Sequence, residues 1–181
     1  MKKIRLILAV GVGAFLLFSC NNSNTTVNGN NDTIIVNKVM QQMDGSIALH
    51  VHEAECYNNE KNPETNTAQW YMVVSKSGRF DVWLNSATTD TTLLGYENKV
   101  LLSIHENRFE AQPTINKIIN DASVKHPYFK TDSFMGTMYI QDTGLYFVEI
   151  ISDKILPKNG IIDTTENTKL LSVILTPTTI R

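Results

Sequence analysis

The chain has 181 residues, with 16 Lys and Arg against 18 Asp and Glu, a formal net charge of −2. That balance excludes nucleic-acid binding through a basic electrostatic footprint. Two cysteines and 42% hydrophobic residues suit one domain with a single core rather than a disulfide scaffold.

The first nineteen residues read as an export signal. "MKK" and Arg5 supply a positive start, "LILAVGVGAFLLF" is an apolar run too short for a comfortable membrane span, and "LFSC" closes it. The arrangement resembles a bacterial lipoprotein signal, in which the cysteine that ends the lipobox receives the lipid. Cys20 is then the lipidation site and first mature residue, and its partner is a membrane. Removing residues 1–19 leaves 162, with 13 basic residues facing 18 acidic ones, a mature charge of about −5. The stretch "NNSNTTVNGNND" is too polar to offset chain entropy by burial, so residues 20–44 are expected to be a tether. No acidic run follows Cys20, and the default location is a lipid-anchored, periplasm-facing position at the outer membrane, with surface exposure left open. Cys56 has no internal disulfide partner and reads as a small core residue.

From residue 45 to 181 the dominant period is two. In "GSIALHVHEAECY", Ile47, Leu49 and Val51 alternate with Ala48, His50 and His52, as in a strand with one buried face. "AQWYMVVSKSGRFDVWLN" predicts two strands in a hairpin around Ser77-Gly78, with Trp70, Met72 and Val74 inward on the first and Phe80, Val82 and Leu84 inward on the second. "KVLLSIHENRFEA" predicts a hairpin turning at "HEN". The 113–132 segment is less regular, and "TINKIINDA" has a weak helical pattern. "MGTMYIQDTGLYFVEIISDKI" predicts two more strands around Gly144, and "KLLSVILTP" a last one with Leu171, Val173 and Leu175 on one face. Many short strands with turn signals and no sustained helical period indicate an all-β, antiparallel β-sandwich.

The order Trp70, Gly78, Phe80, Val82, Gly144, Tyr146, Leu175, Pro177 resembles the galactose-binding-domain-like jelly roll used by carbohydrate-binding modules, over roughly residues 45–177. The resemblance implies a glycan as ligand and, in many members, a structural calcium. Glu53 and Glu55 of "HEAE" stand where some members carry an acidic pair for that metal, although "LLSVILTP" lacks the aspartate that would partner them.

Alternation turns Asp81, Trp83 and Asn85 away from the core, and Tyr71 on the preceding strand is expected on the same side. An indole beside a carboxylate and an amide suits a sugar: the ring covers the C–H face and the polar groups fix hydroxyls. Tyr71, Asp81, Trp83 and Asn85 are therefore the expected ligand platform; the competing arrangement has the 113–132 segment folded over this face. His50 and His52, two apart, share a face and would serve a cupin-like metal site if His105 or Glu106 joined them; otherwise they are surface histidines. No G-x-S-x-G, P-loop, CxxC or HExxH is present, so a non-catalytic role is expected. Three functions follow in order: glycan recognition at the cell envelope, a protein-interaction or structural subunit of an envelope complex, and a metal-dependent cupin-like enzyme.

Overall fold

The computed structural model describes residues 25–27, 34–156 and 167–178. Thirteen strands are present among them and no α-helix. They are β1 (Thr25–Val27), β2 (Ile34–Val36), β3 (Lys38–Met40), β4 (Ile47–His50), β5 (Glu55–Tyr57), β6 (Thr67–Val74), β7 (Gly78–Thr88), β8 (Val100–Ile104), β9 (Asn107–Ala111), β10 (Lys117–Ile119), β11 (Phe129–Ile140), β12 (Gly144–Ile151) and β13 (Thr168–Pro177). Cys20 and the expected signal lie outside the described residues.

Eleven of these strands form an all-β sandwich. One sheet runs β10-β11-β7-β13-β4, antiparallel throughout; the other runs β3-β6-β12-β8-β9, with β5 also paired to β6. Strand β6 shares one edge between two short partners, β5 antiparallel at Thr67–Gln69 and β3 parallel at Tyr71–Val73. The sheet thus takes in Lys38–Met40, ahead of the expected boundary at 45. Strands β1 and β2 pair as a separate antiparallel ribbon.

The core lies between the two sheets and follows the two-residue period. Trp70, Met72, Val74, Phe80, Val82 and Leu84 are all buried, together with Ile47, Leu49, Val148 and Ile150. Each such side chain contributes about 1.5–3 kcal/mol by leaving water. The Trp70 indole N–H is satisfied inside by donating to the His50 carbonyl at 2.9 Å. Cys56 is half-buried against this core, as expected.

The two glycine turns of the sequence are not hairpins. Strand β6 belongs to the six-stranded sheet and β7 to the five-stranded one, so Ser75–Ser77 carries the chain across the sandwich; β11 and β12 are related in the same way. Jelly-roll connections behave like this. Gly78 (φ +155°) and Gly144 (φ +148°) occupy backbone conformations that other residues rarely adopt, yet an added Cβ would meet nothing within 4 Å. Glycine is needed there for conformation, not space. The expected hairpin at "HEN" is present, with β8 and β9 joined through His105 and Glu106.

Two bulges explain the remaining differences. Register shifts between Leu170 and Ser172 in β13, and between Phe134 and Gly136 in β11, each insert one extra residue and switch which residues face inward. Leu170, Val173 and Leu175 are therefore the buried set, and Leu171 is only half-buried. The "TINKIINDA" segment contains the edge strand β10 rather than a helix, because Lys117–Ile119 pairs with Lys130–Asp132.

Candidate functional site

The outer face of the five-stranded sheet is built in rows, because neighbouring strands are in register. One row places Lys117 of β10 beside Asp132 of β11, then Asn85 of β7, Ser172 of β13 and His50 of β4. The next holds Phe134, Trp83, Ile174 and Ala48. A third sets Thr137 and Thr176 on either side of Asp81. An apolar row flanked by two polar rows is a surface that suits a ligand with both kinds of face.

The centre of the apolar row is an aromatic pair. Trp83 and Phe134 lie with ring centroids 5.0 Å apart and planes tilted by 54°. Trp83 is half-buried and Phe134 remains 44% exposed, so the pair is open to a ligand. Beside it, Asp81 Oδ1 accepts from the Thr137 hydroxyl at 2.8 Å and the Thr178 hydroxyl at 3.0 Å. Both bonds fall on one oxygen of the carboxylate, which can take up to four.

Asn85 faces outward as expected but is buried, and both ends of its amide are committed. Its Nδ2 donates to Asp132, and its Oδ1 accepts from Ser172 Oγ at 3.0 Å. It is thus a bridge that holds three strands in register rather than a free ligand contact. Burial raises the Asp132 carboxyl above the usual range, against the opposing pull of Lys117, Lys130 and Asn85.

Tyr71 does not join this group. Because β6 and β7 lie in different sheets, Tyr71 emerges on the opposite side of the molecule, with its ring 5.5 Å from Phe147. A hairpin around Ser77-Gly78 would set β6 and β7 side by side with Tyr71 and Trp83 on one face; the crossover puts them in different sheets and reverses the relation. That outer face carries Met40, Tyr71, Leu145 and Phe147, all exposed.

The segment expected to fold over the platform covers only one end of it. Lys130 faces outward beside Ala87 and pairs with Asp121 at 2.7 Å, while Lys169, on the other side of Ala87, lies 4.6 Å from the centre of the Tyr128 ring. The 120–128 loop is thereby drawn over Ala87, leaving Trp83 clear. Between loop and sheet lies a cavity of about 410 Å³, lined by Ile119, Asn120, Asp121, Val124, Tyr128 and Lys130 among others. Neither Phe134 nor this cavity was found by alternation: the bulge breaks the period just after Phe134, and the loop has no period.

The metal candidates do not converge. Strand β4 ends at His50, and Val51–Glu53 forms a single 3-10 turn, so His52 and Glu53 leave the strand's face and Glu55 belongs to β5. His50 and His52 keep their rings 5.3 Å apart, and His52 lies 3.8 Å from Glu53 on the surface. His105 sits at the β8–β9 turn of the other sheet, edge-on to Tyr146. No group of three or more His, Cys, Asp or Glu side chains able to hold a metal occurs among the described residues. Glu53 and Glu55 alone fall short of the six to eight oxygens calcium takes.

No family model matches the chain, and no curated protein matches it in sequence. Among solved structures, the fold is similar to part of the crystal structure of an alpha-L-fucosidase from Vibrio sp. strain EJY3, with a TM-score of 0.60 and 18% identity over 83% of this chain and 25% of that one. It is similar also to part of the insecticidal crystal protein Cry2Aa, with a TM-score of 0.50 and 9% identity over 82% of this chain and 24% of that one. This chain thus spans about a quarter of the length of each. At these identities the likeness is one of fold, an all-β sandwich.

Proposed function

We propose that this chain is a lipid-anchored, non-catalytic binding module of the cell envelope, held in the membrane through Cys20, that recognises a glycan on the outer face of its five-stranded sheet. The observation that carries the reading is the open Trp83–Phe134 pair lying between a threonine–aspartate row and an aspartate–asparagine–serine row. Aromatic rings cover the C–H face of a pyranose, and the partly exposed carboxylates of the flanking rows, Asp81 and Asp132, can accept from its hydroxyls. The fold likeness to a quarter of an alpha-L-fucosidase sets such a sandwich within a protein that acts on a sugar; the ligand reading itself rests on the side chains. The deciding measurement is a glycan array with wild type and Trp83→Ala. Loss of signal in a folded variant supports the reading, and unchanged signal removes it.

A second reading, docking of an envelope protein, draws on the opposite face, where Met40, Tyr71, Leu145 and Phe147 are exposed together. Affinity capture from an envelope extract with wild type and Phe147→Asp separates the two, since that change leaves the Trp83 face intact.

A further inference from the structure

We infer that the cavity under the 120–128 loop and the Trp83–Phe134 platform are two ends of one binding track, so that the ligand of this face is a linear oligosaccharide rather than a single sugar; the inference rests on the glycan reading of the platform. Lys130, Asp132 and Phe134 all face outward from β11, as their pairing with Ala87, Asn85 and Trp83 requires. Four residues separate the cavity wall at Lys130 from the platform at Phe134, roughly 13 Å at the rise of a strand. That is wider than one pyranose ring. Between them on the same strand lies Asp132, partly exposed, with Asn85 and Ser172 buried beside it, so the step from Lys130 to Phe134 passes over a carboxylate rather than an apolar side chain.

The chemistry of the cavity selects a neutral occupant. Its two charged groups, Lys130 and Asp121, neutralise each other at 2.7 Å, and Asp121 accepts also from the Ser123 amide at 2.9 Å. No net charge is left to draw in an ion. Ile119, Val124 and Tyr128 supply apolar walls, the Tyr128 ring being fixed from one side by Lys169. Asn120 and the remaining N–H groups of Lys130 supply hydrogen bonds. A volume of about 410 Å³ lies within the range of small-ligand sites. A molecule with hydroxyls on its rim and C–H groups on its face fits both ends.

The test titrates the full chain with linear gluco-, manno-, xylo- and galacto-oligosaccharides of one to six units, as wild type, Trp83→Ala, Tyr128→Ala and Val124→Trp. The last variant fills the cavity without removing a contact from the loop, and remains informative if Tyr128→Ala does not fold. In a series that binds, affinity should rise about ten-fold or more between single units and chains long enough to reach both ends, a gain of about 1.4 kcal/mol. The cavity variants should abolish that rise and bring long chains down to the affinity of short ones, whereas Trp83→Ala weakens every length. Equal affinity for single units and long chains overturns the track but leaves the platform standing, as do folded cavity variants that bind long chains like wild type. Failure of every series overturns the glycan reading, and the track with it.

Discussion

Trp83 of β7 and Phe134 of β11 face each other across the outer side of one sheet, 5.0 Å between ring centroids, and neither is needed to close the core beneath. The core side chains are their neighbours in sequence: Val82 and Leu84 are wholly buried. Replacing Trp83 with alanine should therefore cost about 1–2 kcal/mol, well short of the 3–5 kcal/mol of a core Trp or Phe. Urea unfolding gives the number, and a loss above 4 kcal/mol would show the ring to be a structural member.

Gln41 should matter more than its position before the first core strand suggests. Its Oε1 accepts from the Ser75 amide at 3.0 Å and the Lys76 amide at 2.7 Å, and its Nε2 donates to the Gly45 carbonyl at 2.8 Å. One side chain thus ties the crossover between the sheets to the start of β4. Gln41→Ala is expected to lower stability by about 1–2 kcal/mol, since water replaces part of these bonds. Amide hydrogen exchange at Ser75 and Lys76 should quicken; unchanged protection there would contradict the clamp.

The core and the element order were legible because burial on one face imposes a period of two. Trp70, Met72 and Val74, then Phe80, Val82 and Leu84, follow it without interruption. What sequence does not carry is which sheet a strand joins: a glycine turn looks the same whether the chain folds back or crosses over, and that ambiguity placed Tyr71 on the wrong side. Asn85 faced the expected way, but its burial comes from partners 47 and 87 residues distant, Asp132 and Ser172. Phe134 was hidden because the bulge after it ends the alternation that would have announced its strand.

Glycines that need conformation alone should tolerate change better than one that also needs space. Gly45 has φ +85°, and a Cβ there would lie 2.8 Å from Pro177 Cγ, whereas Gly78 has open space around it. Gly78→Ala should cost about 1–2 kcal/mol from backbone strain, and Gly45→Ala about 3 kcal/mol because strain and clash add. Thermal midpoints of the two variants check the order; the reverse order would mean that the Gly78 crossover is the more constrained.

Asp132 gives a pH signature for the row beneath the track. Burial, the largest influence, raises its carboxyl above the ordinary range in spite of Lys117, Lys130 and Asn85. A raised folded-state value means that the carboxyl favours the fold fully below its unfolded pKa of about 3.9, and that this contribution is lost as pH rises through the folded value. Asp132→Asn keeps an oxygen for Asn85 Nδ2 and removes the charge, so the variant should be more stable than wild type at pH 7. The difference should close below about pH 4, where wild type is protonated as well. Asp121 behaves in the opposite sense: the Lys130 ammonium, then Ser123, hold its carboxyl far below the usual range. Its contribution is present above about 3.9 and is lost as pH falls toward the depressed value. Both proteins carry Asp121, so acid weakens both in the same sense, and their difference reports Asp132 together with its coupling to Asp121 through the shared Lys130. Urea midpoints from pH 3 to pH 8 measure it. A variant less stable than wild type at pH 7 would show that the two lysines outweigh burial, and that Asp132 is an anchor for charge rather than a neutral partner to Asn85.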